Sequence, residues 1–161
     1  MDVWLLRHAA AQDRALSGRD EDRALTAEGL ERAEAVARGL AALSPPIAIV
    51  LTSPFARARE TAEPCARALG LEAPRAVPVL LPGTDPRRTA EELARGGWSS
   101  VLLVGHQPLL GSLAGLLVFG DERNEIPLRK AEIARVTWTP GSAGRLEALL
   151  PPEVLEQLEE L

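Results

Sequence analysis

The sequence is short of several residue types, and each shortage excludes a class of protein. Cys65 is its only cysteine, so an internal disulfide is excluded. The formal net charge is −5, which argues against nonspecific binding of nucleic acid. No continuous apolar run reaches the roughly 18 residues that cross a bilayer, and no basic segment with a long apolar stretch opens the chain. We therefore expect a cytoplasmic protein with no nucleic-acid partner, no membrane partner and no signal peptide.

What remains has the composition of an ordinary globular protein. The chain has 161 residues, of which 46% are apolar and 25% are charged. That length can bury a substantial core within one domain. Because no linker, repeat or low-complexity segment interrupts the chain, we expect a single domain over residues 1–161.

Histidine is also scarce, and both histidines occupy the same kind of position. The apolar residues 3–6 lead directly into Arg7 and His8, and residues 101–105 lead into His106. Continuous apolar runs of this length are typical of strands buried in a parallel sheet. Because ligands bind at the carboxyl ends of such strands, we expect Arg7, His8 and His106 at one edge of a sheet.

Strand-like and helix-like segments alternate along the chain, which predicts an α/β sandwich. Strands are expected at residues 3–6, 47–51, 76–81, 98–104, 133–139 and 145–150, and helices at 27–43, 54–69, 85–96, 108–119 and 153–161. Thr26 is the expected N-cap of the first helix, Ser53 and Pro54 are expected to open the second, and Asp85 or Thr84 is expected to cap the third. This order favours a mostly parallel sheet that ends in a hairpin-like antiparallel addition.

A second arginine is expected at the same edge of the sheet. Arg57 falls near the first turn of the helix after the second strand, and helical side chains lean toward the N-terminus of their helix. Two arginines and two histidines should therefore converge near helix N-termini, whose N–H groups attract anions. Arginine binds phosphate oxygens in pairs and keeps its charge, so this group of residues favours a phosphoryl ligand.

The histidines have a chemical role that suits such a pocket. No cysteine or carboxylate joins them at metal-ligand spacing, and the flanking arginines would repel a cation, so we disfavour a zinc site. Positive neighbours keep an imidazole neutral, and a neutral imidazole is a good nucleophile toward phosphorus. The hypothesis is that one histidine attacks the phosphoryl group while the arginines and the other histidine stabilise its oxygens.

Four segments, in the right order, resemble the motifs of the histidine phosphatase superfamily, whose fold is phosphoglycerate-mutase-like. Any one of the four is weakly specific, whereas the set is strongly so. The segments are Leu6-Arg7-His8-Ala9 for the RHG or RHA signature, Arg23-Ala24-Leu25-Thr26-Ala27-Glu28-Gly29 for R-x-L-T-x-x-G, Ser53-Pro54-Phe55-Ala56-Arg57-Ala58-Arg59-Glu60-Thr61-Ala62 for S-P-x-x-R-A-x-Q-T-A, and Val104-Gly105-His106-Gln107-Pro108 for G-H-x-P.

The resemblance implies a fold and a role for each residue. It implies a three-layer α/β/α sandwich with one antiparallel strand in the sheet, and neither a metal nor a cofactor. It implies that His8 becomes a phosphohistidine, that Arg7 and Arg57 bind the phosphoryl group, and that His106 completes the pocket. Within the superfamily the chain looks most like the SixA group of short phosphohistidine phosphatases, which lack the long insertions that roof the pocket in mutases.

The departures from the mutase pattern bear on the substrate. Ala9 replaces the commoner glycine, and Arg14 stands where mutases carry an asparagine. Mutases place an acidic proton donor after the third strand, where this chain offers only Asp85, and we do not assign Asp85 that role. An alkoxide leaving group needs such a donor, whereas the imidazole of a phosphohistidine leaves readily without one. These features favour a phosphohistidine on a partner protein, such as a phosphotransfer domain.

Other interpretations stay open at this point. Either histidine could be structural, Arg7 could pair with a carboxylate in the acidic loop at 20–22, and Arg57 could be a solvated charge of its helix. Ser53 is expected to act only as a cap. The protein could instead be a phosphatase of small phosphate esters or sugar phosphates, or a non-catalytic module that binds phosphorylated partners. A mutase is disfavoured because nothing would roof the pocket between half-reactions.

Overall fold

The computed structural model describes residues 1–160, which form six strands, five α-helices and two single-turn 3-10 helices. The strands are β1 (Asp2–Arg7), β2 (Ile49–Thr52), β3 (Arg75–Ala76), β4 (Ser100–Gly105), β5 (Ile133–Thr137) and β6 (Arg145–Leu150). The helices are α1 (Ala27–Ala42), α2 (Ala56–Ala68), α3 (Pro86–Gly96), α4 (Leu109–Phe119) and α5 (Pro152–Glu159), and the 3-10 turns are Asp20–Asp22 and Pro78–Leu80. None of these described helices is long and apolar enough to cross a membrane.

The strands form one sheet in the order β3-β2-β4-β1-β5-β6. The four strands from β3 to β1 are parallel, β5 is antiparallel to β1, and β6 is antiparallel to β5. The prediction of a mostly parallel sheet with one antiparallel strand and a final hairpin is therefore confirmed.

Helices cover both faces of the sheet, so the fold has the three layers expected from the resemblance. Because successive side chains of a strand point to opposite faces, β1 contributes Leu6 to one core and Leu5 to the other. The first core lies under α1, α2 and α5, where Leu40 and Leu155 are fully buried. The second lies under α3 and α4, where Leu113 is fully buried.

Three expected elements differ from the structure. The third strand ends at Ala76 instead of residue 81, because Pro78 has no N–H to donate and opens a 3-10 turn. Helix α2 begins at Ala56, and its N-cap is Phe55 rather than Ser53. Leu161, the expected last residue of the final helix, lies outside the described residues.

The pairing of β1 with β4 positions the candidate site. These central strands run in parallel, and Arg7 lies opposite Gly105 in their register. The next residues along the two strands are His8 and His106, and the backbone N–H of His8 donates to the carbonyl oxygen of Gly105 at 3.0 Å. The two histidines therefore leave the sheet side by side at its carboxyl edge.

Candidate active site

His8 is fixed by its own backbone in a way that leaves one ring nitrogen free. Its side chain is buried, and Nδ1 lies 2.7 Å from the carbonyl oxygen of Ala9. Because a carbonyl oxygen can only accept, Nδ1 carries the ring proton. The lone pair of the neutral ring is then on Nε2, which is the nitrogen available to attack an electrophile.

His106 packs edge-on against His8, with 5.2 Å between the ring centroids. Its Nε2 lies 2.8 Å from Oγ of Ser53, and the backbone N–H of Phe55 donates to the same Oγ at 3.2 Å. The Ser53 hydroxyl accepts from Phe55 and can either donate to Nε2 of His106 or accept from it. Nδ1 of His106 is buried without a hydrogen-bond partner among residues 1–160.

Burial and neighbouring positive charge keep both imidazoles neutral. Desolvation, together with the charges of Arg57 and Arg7, lowers the pKa of His8 to about 4, against the Ala9 hydrogen bond that raises it. Desolvation, followed by the charges of His8 and Arg57, lowers the pKa of His106 to about 3. At neutral pH the site therefore holds two neutral imidazoles side by side.

The two arginines lie around the histidines and are held differently. Nη1 of Arg7 donates to the carbonyl oxygen of Leu128 at 3.0 Å, while its buried Nε has no partner among the described residues. The side chain of Arg57 is only 7% exposed, and its guanidinium carbon lies 5.0 Å from the centroid of the Phe55 ring. Arg57 is therefore not one of the solvated charges of its helix.

The acidic loop supplies a partner to Arg57 rather than to Arg7. Nη1 of Arg57 donates to the backbone oxygen of Asp20 at 2.9 Å, and Nη2 donates to the Asp20 carboxylate at 3.2 Å. The alternative in which Arg7 pairs with a carboxylate of residues 20–22 is wrong for the described structure.

Other motif residues support the segment that follows His8. The hydroxyl of Thr61 accepts from the backbone N–H of Ala9 at 3.1 Å and donates to the carbonyl oxygen of Arg57 at 2.8 Å. The backbone oxygen of Ala10 accepts from Thr26 N–H at 2.9 Å, and a Cβ on Gly29 would lie only 2.1 Å from that oxygen. The sequence indicates Thr61 and Gly29 only through the motifs that contain them, and it indicates Thr26 also as an N-cap.

Two sequence expectations about polar residues are resolved by these contacts. Ser53 is not the N-cap of α2, since its hydroxyl is used by His106. Asp85 is the N-cap of α3, and its carboxylate accepts from the N–H of Arg87 at 2.9 Å. Within residues 1–160, no cluster of three or more histidine, cysteine or acidic side chains could hold a metal ion.

Comparison with known proteins identifies a family. A family model described as the histidine phosphatase superfamily (branch 1) matches residues 3–77. The chain is 34% identical to the phosphohistidine phosphatase SixA of Escherichia coli K12, over 75% of this chain and 76% of that protein. It is 37% identical to an uncharacterized protein of Picosynechococcus, over 83% and 82% of the two chains.

Solved structures give the same picture. The structure of the protein histidine phosphatase SixA complexed with tungstate superposes with a TM-score of 0.86 at 30% identity, over 96% of this chain and 99% of that one. The α-ribazole phosphatase of Shigella flexneri superposes with a TM-score of 0.74, over 94% and 97% of the two chains. At 17% identity, that second likeness concerns the fold alone.

Proposed function

The chain belongs to the histidine phosphatase superfamily, and we propose that it removes phosphate from phosphohistidine on a partner protein through a phosphohistidine intermediate on His8. The superfamily and the similarity to SixA phosphatases indicate a phosphatase. The observation that carries the proposal is the anchored Nδ1 of His8, which leaves a neutral Nε2 beside buried donors. We expect the reaction to take place in the cytoplasm, with neither a metal nor a cofactor.

The first step in this account is binding of the phosphoryl group. Arg57 and the unpartnered Nε of Arg7 supply positive N–H donors, and Nδ1–H of His106 supplies a neutral one. Buried donors without partners are uncommon in folded proteins because they lose hydrogen bonds to water. Phosphoryl oxygens would satisfy them and hold the phosphorus against His8.

The second step transfers the phosphoryl group to His8. The lone pair of Nε2 forms a bond to phosphorus while the bond from phosphorus to the leaving group breaks. The developing positive charge on the His8 ring is stabilised by the Nδ1–H bond to Ala9. Arg7, Arg57 and His106 stabilise the charge on the equatorial oxygens. Water then attacks phosphorus, and the bond to Nε2 breaks to regenerate neutral His8.

The nature of the leaving group favours a nitrogen–phosphorus substrate. An ester releases an alkoxide, which needs a proton from a nearby acid. Asp85 caps a helix, and Asp20 is paired with two arginines, which keeps the pKa of its carboxyl low. A phosphohistidine releases an imidazole, for which no such acid is needed. Similarity to SixA phosphohistidine phosphatases supports the same substrate class. We expect the partner to be a phosphotransfer domain.

Small phosphate esters are the second candidate substrate class. The fold is shared with an α-ribazole phosphatase, so the architecture itself is compatible with small phosphates. A non-catalytic module that binds phosphorylated proteins would need a damaged site, whereas all four residues are present around the histidine pair.

The test is hydrolysis of two substrates in EDTA, namely a phosphotransfer protein phosphorylated on histidine and p-nitrophenyl phosphate. Fast turnover of the first and weak turnover of the second is the expected result. The reverse preference would contradict the proposal and favour an ester phosphatase. Turnover that depends on an added metal would contradict the metal-free mechanism.

Phosphate binding separates the enzyme from the binding module. Arg57→Ala should weaken binding of phosphate or vanadate strongly, whereas Arg59→Ala should not, because Arg59 is exposed on the same helix. His8→Ala should abolish turnover while phosphate still binds. If the wild type binds phosphate and turns over neither substrate, the protein is the module instead.

A further inference from the structure

Asp20 places a carboxylate directly on an arginine of the phosphoryl site. Its backbone oxygen and its carboxylate both accept from Arg57, at 2.9 and 3.2 Å. Arg23 donates to the other carboxylate oxygen at 2.9 Å and is itself fixed to the backbone oxygen of Gln12. Two arginines therefore brace Asp20 at the entrance to the site.

The carboxylate of Asp20 is ionised and still accessible. Its hydrogen bond from Arg23, followed by the hydrogen bond and charge of Arg57, lowers the pKa of its carboxyl. The side chain is 56% exposed, while the Arg57 side chain beneath it is 7% exposed. A carboxylate has about four lone-pair positions, so two protein donors leave it able to accept from a ligand.

A negative charge at this position works against an ordinary phosphate ester. It repels the dianionic phosphoryl group, and an ionised carboxylate has no proton to give to an alkoxide. The field of Asp20 also reaches the histidine pair, where it raises the pKa of His106 against the larger effects of burial and of the neighbouring charges. Its contact with Arg57 places this carboxylate beside the proposed phosphoryl site, where its charge is unfavourable for an ester.

We propose that Asp20 selects the leaving group by accepting an N–H from the protonated imidazole ring of a phosphohistidine substrate. Imidazole changes its charge near neutral pH, and a carboxylate neighbour favours the protonated form. This inference rests on the proposed function, because it requires a substrate with a nitrogen–phosphorus bond.

The step balances without a further acid. His8 Nε2 bonds to phosphorus, the substrate's nitrogen–phosphorus bond breaks, and its electron pair stays on that nitrogen. The proton on the other nitrogen of the substrate ring stays on that ring. The imidazole that leaves is therefore neutral, and His8 becomes the positively charged phosphoimidazolium. Asp20 lowers the barrier by holding the substrate ring in its protonated form, in which the leaving group is neutral.

The test compares Asp20→Asn with Glu21→Gln on N-phosphoimidazole and p-nitrophenyl phosphate. Asn keeps the size of Asp20 and an oxygen that can accept from one arginine, and Glu21→Gln removes the same charge from an exposed neighbour that does not contact Arg57. Asp20→Asn should lower kcat/KM for N-phosphoimidazole by about tenfold or more, the effect of one hydrogen bond to a charged group. The same variant should raise turnover of p-nitrophenyl phosphate, because it removes the charge that repels the phosphoryl group, and Glu21→Gln should change neither substrate.

Three results would overturn the inference. If Asp20→Asn lowers kcat/KM equally on both substrates, Asp20 only positions Arg57. If the variant raises kcat/KM equally on both, Asp20 is only an anion that competes with the phosphoryl group for Arg57. No change on either substrate would remove it from the reaction. If the wild type hydrolyses N-phosphoimidazole but no phosphohistidine protein, the proposed partner is wrong while the role of Asp20 is still decided. A wild type inactive on both contradicts the proposed function and the inference with it.

Discussion

The chemistry of the site depends at the residue scale on which ring nitrogen holds a proton. Nδ1–H of His8 donates to the Ala9 carbonyl, and His106 contacts the Ser53 hydroxyl through Nε2. His8 therefore has its Nε2 lone pair free, and the proposal requires that Nδ1 of His106 carries the proton. The proposed nucleophile, His8, and the proposed donor, His106, thus differ in their hydrogen-bond partners. His8 contacts a backbone carbonyl oxygen, and His106 contacts a serine hydroxyl.

Both histidines should stay neutral well below the usual pKa of histidine. Their pKa values of about 4 and about 3 lie under the ordinary 6.5, because burial and positive neighbours disfavour the imidazolium. Between about pH 6.5 and pH 4, the unfolded chain binds protons on these histidines and the folded protein does not. The free energy of unfolding should therefore fall as the pH decreases through that range. NMR titration of the two histidines checks this directly, with His8→Asn to assign the signals. A measured pKa near 6.5 for either ring would contradict this prediction.

Ser53 should act as a positioning residue for His106. Ser53→Ala removes the hydroxyl that orients the ring, and we expect kcat to fall by about tenfold to a hundredfold, the effect of losing one buried hydrogen bond. Ser100→Ala is the matched control, because the Ser100 hydroxyl is also buried but has no partner in the described structure. Loss of stability without loss of kcat would return Ser53 to a purely structural role.

At the scale of elements, the first turn of α1 and the segment after His8 are fitted to each other. The backbone oxygen of Ala10 accepts from Thr26, whose side chain caps α1 by accepting from the N–H of Gly29. A Cβ at position 29 would lie only 2.1 Å from the Ala10 oxygen, so glycine is the residue that fits there. The helix start thereby fixes the backbone that anchors Nδ1 of His8.

Gly29→Ala tests this fit. In an open helix position the change would stabilise the protein by up to about 1 kcal/mol. Against a rigid carbonyl we expect the opposite, a destabilisation of about 1–3 kcal/mol together with a lower kcat. Chemical denaturation and steady-state rates measure the two effects, and Glu31→Ala on the exposed side of α1 is the control. A Gly29→Ala protein that is more stable than the wild type would show that the segment after His8 is free to move.

The sequence was sufficient for elements whose signals are local. Thr26 and Asp85 cap the helices that they were expected to cap, because an N-cap contacts the backbone two or three residues away. The third strand was predicted too long because its apolar pattern outweighed Pro78, which ends the pairing. Ser53 looked like a cap because its true partner, His106, is distant in sequence. The contact of Asp20 with Arg57 was unforeseen for the same reason.

At the scale of the whole molecule, strand order creates the site. The chain inserts β4 between β1 and β2, so two strands that are far apart in sequence become neighbours in register. Alternation along the chain predicts a parallel sheet but not the order of its strands. The order of the strands is what brings the two histidines together. The sequence predicts only that both histidines follow apolar runs and therefore lie at the same edge of the sheet.

The central claim is that His8 carries the phosphoryl group during turnover. The most direct measurement is rapid quenching of the protein in alkali during turnover of a ³²P-labelled phosphohistidine protein, followed by peptide mapping of the label. We predict an alkali-stable, acid-labile label on the peptide that contains His8, and no label in His8→Asn. A label on any other residue, or one that persists in His8→Asn, would contradict the mechanism.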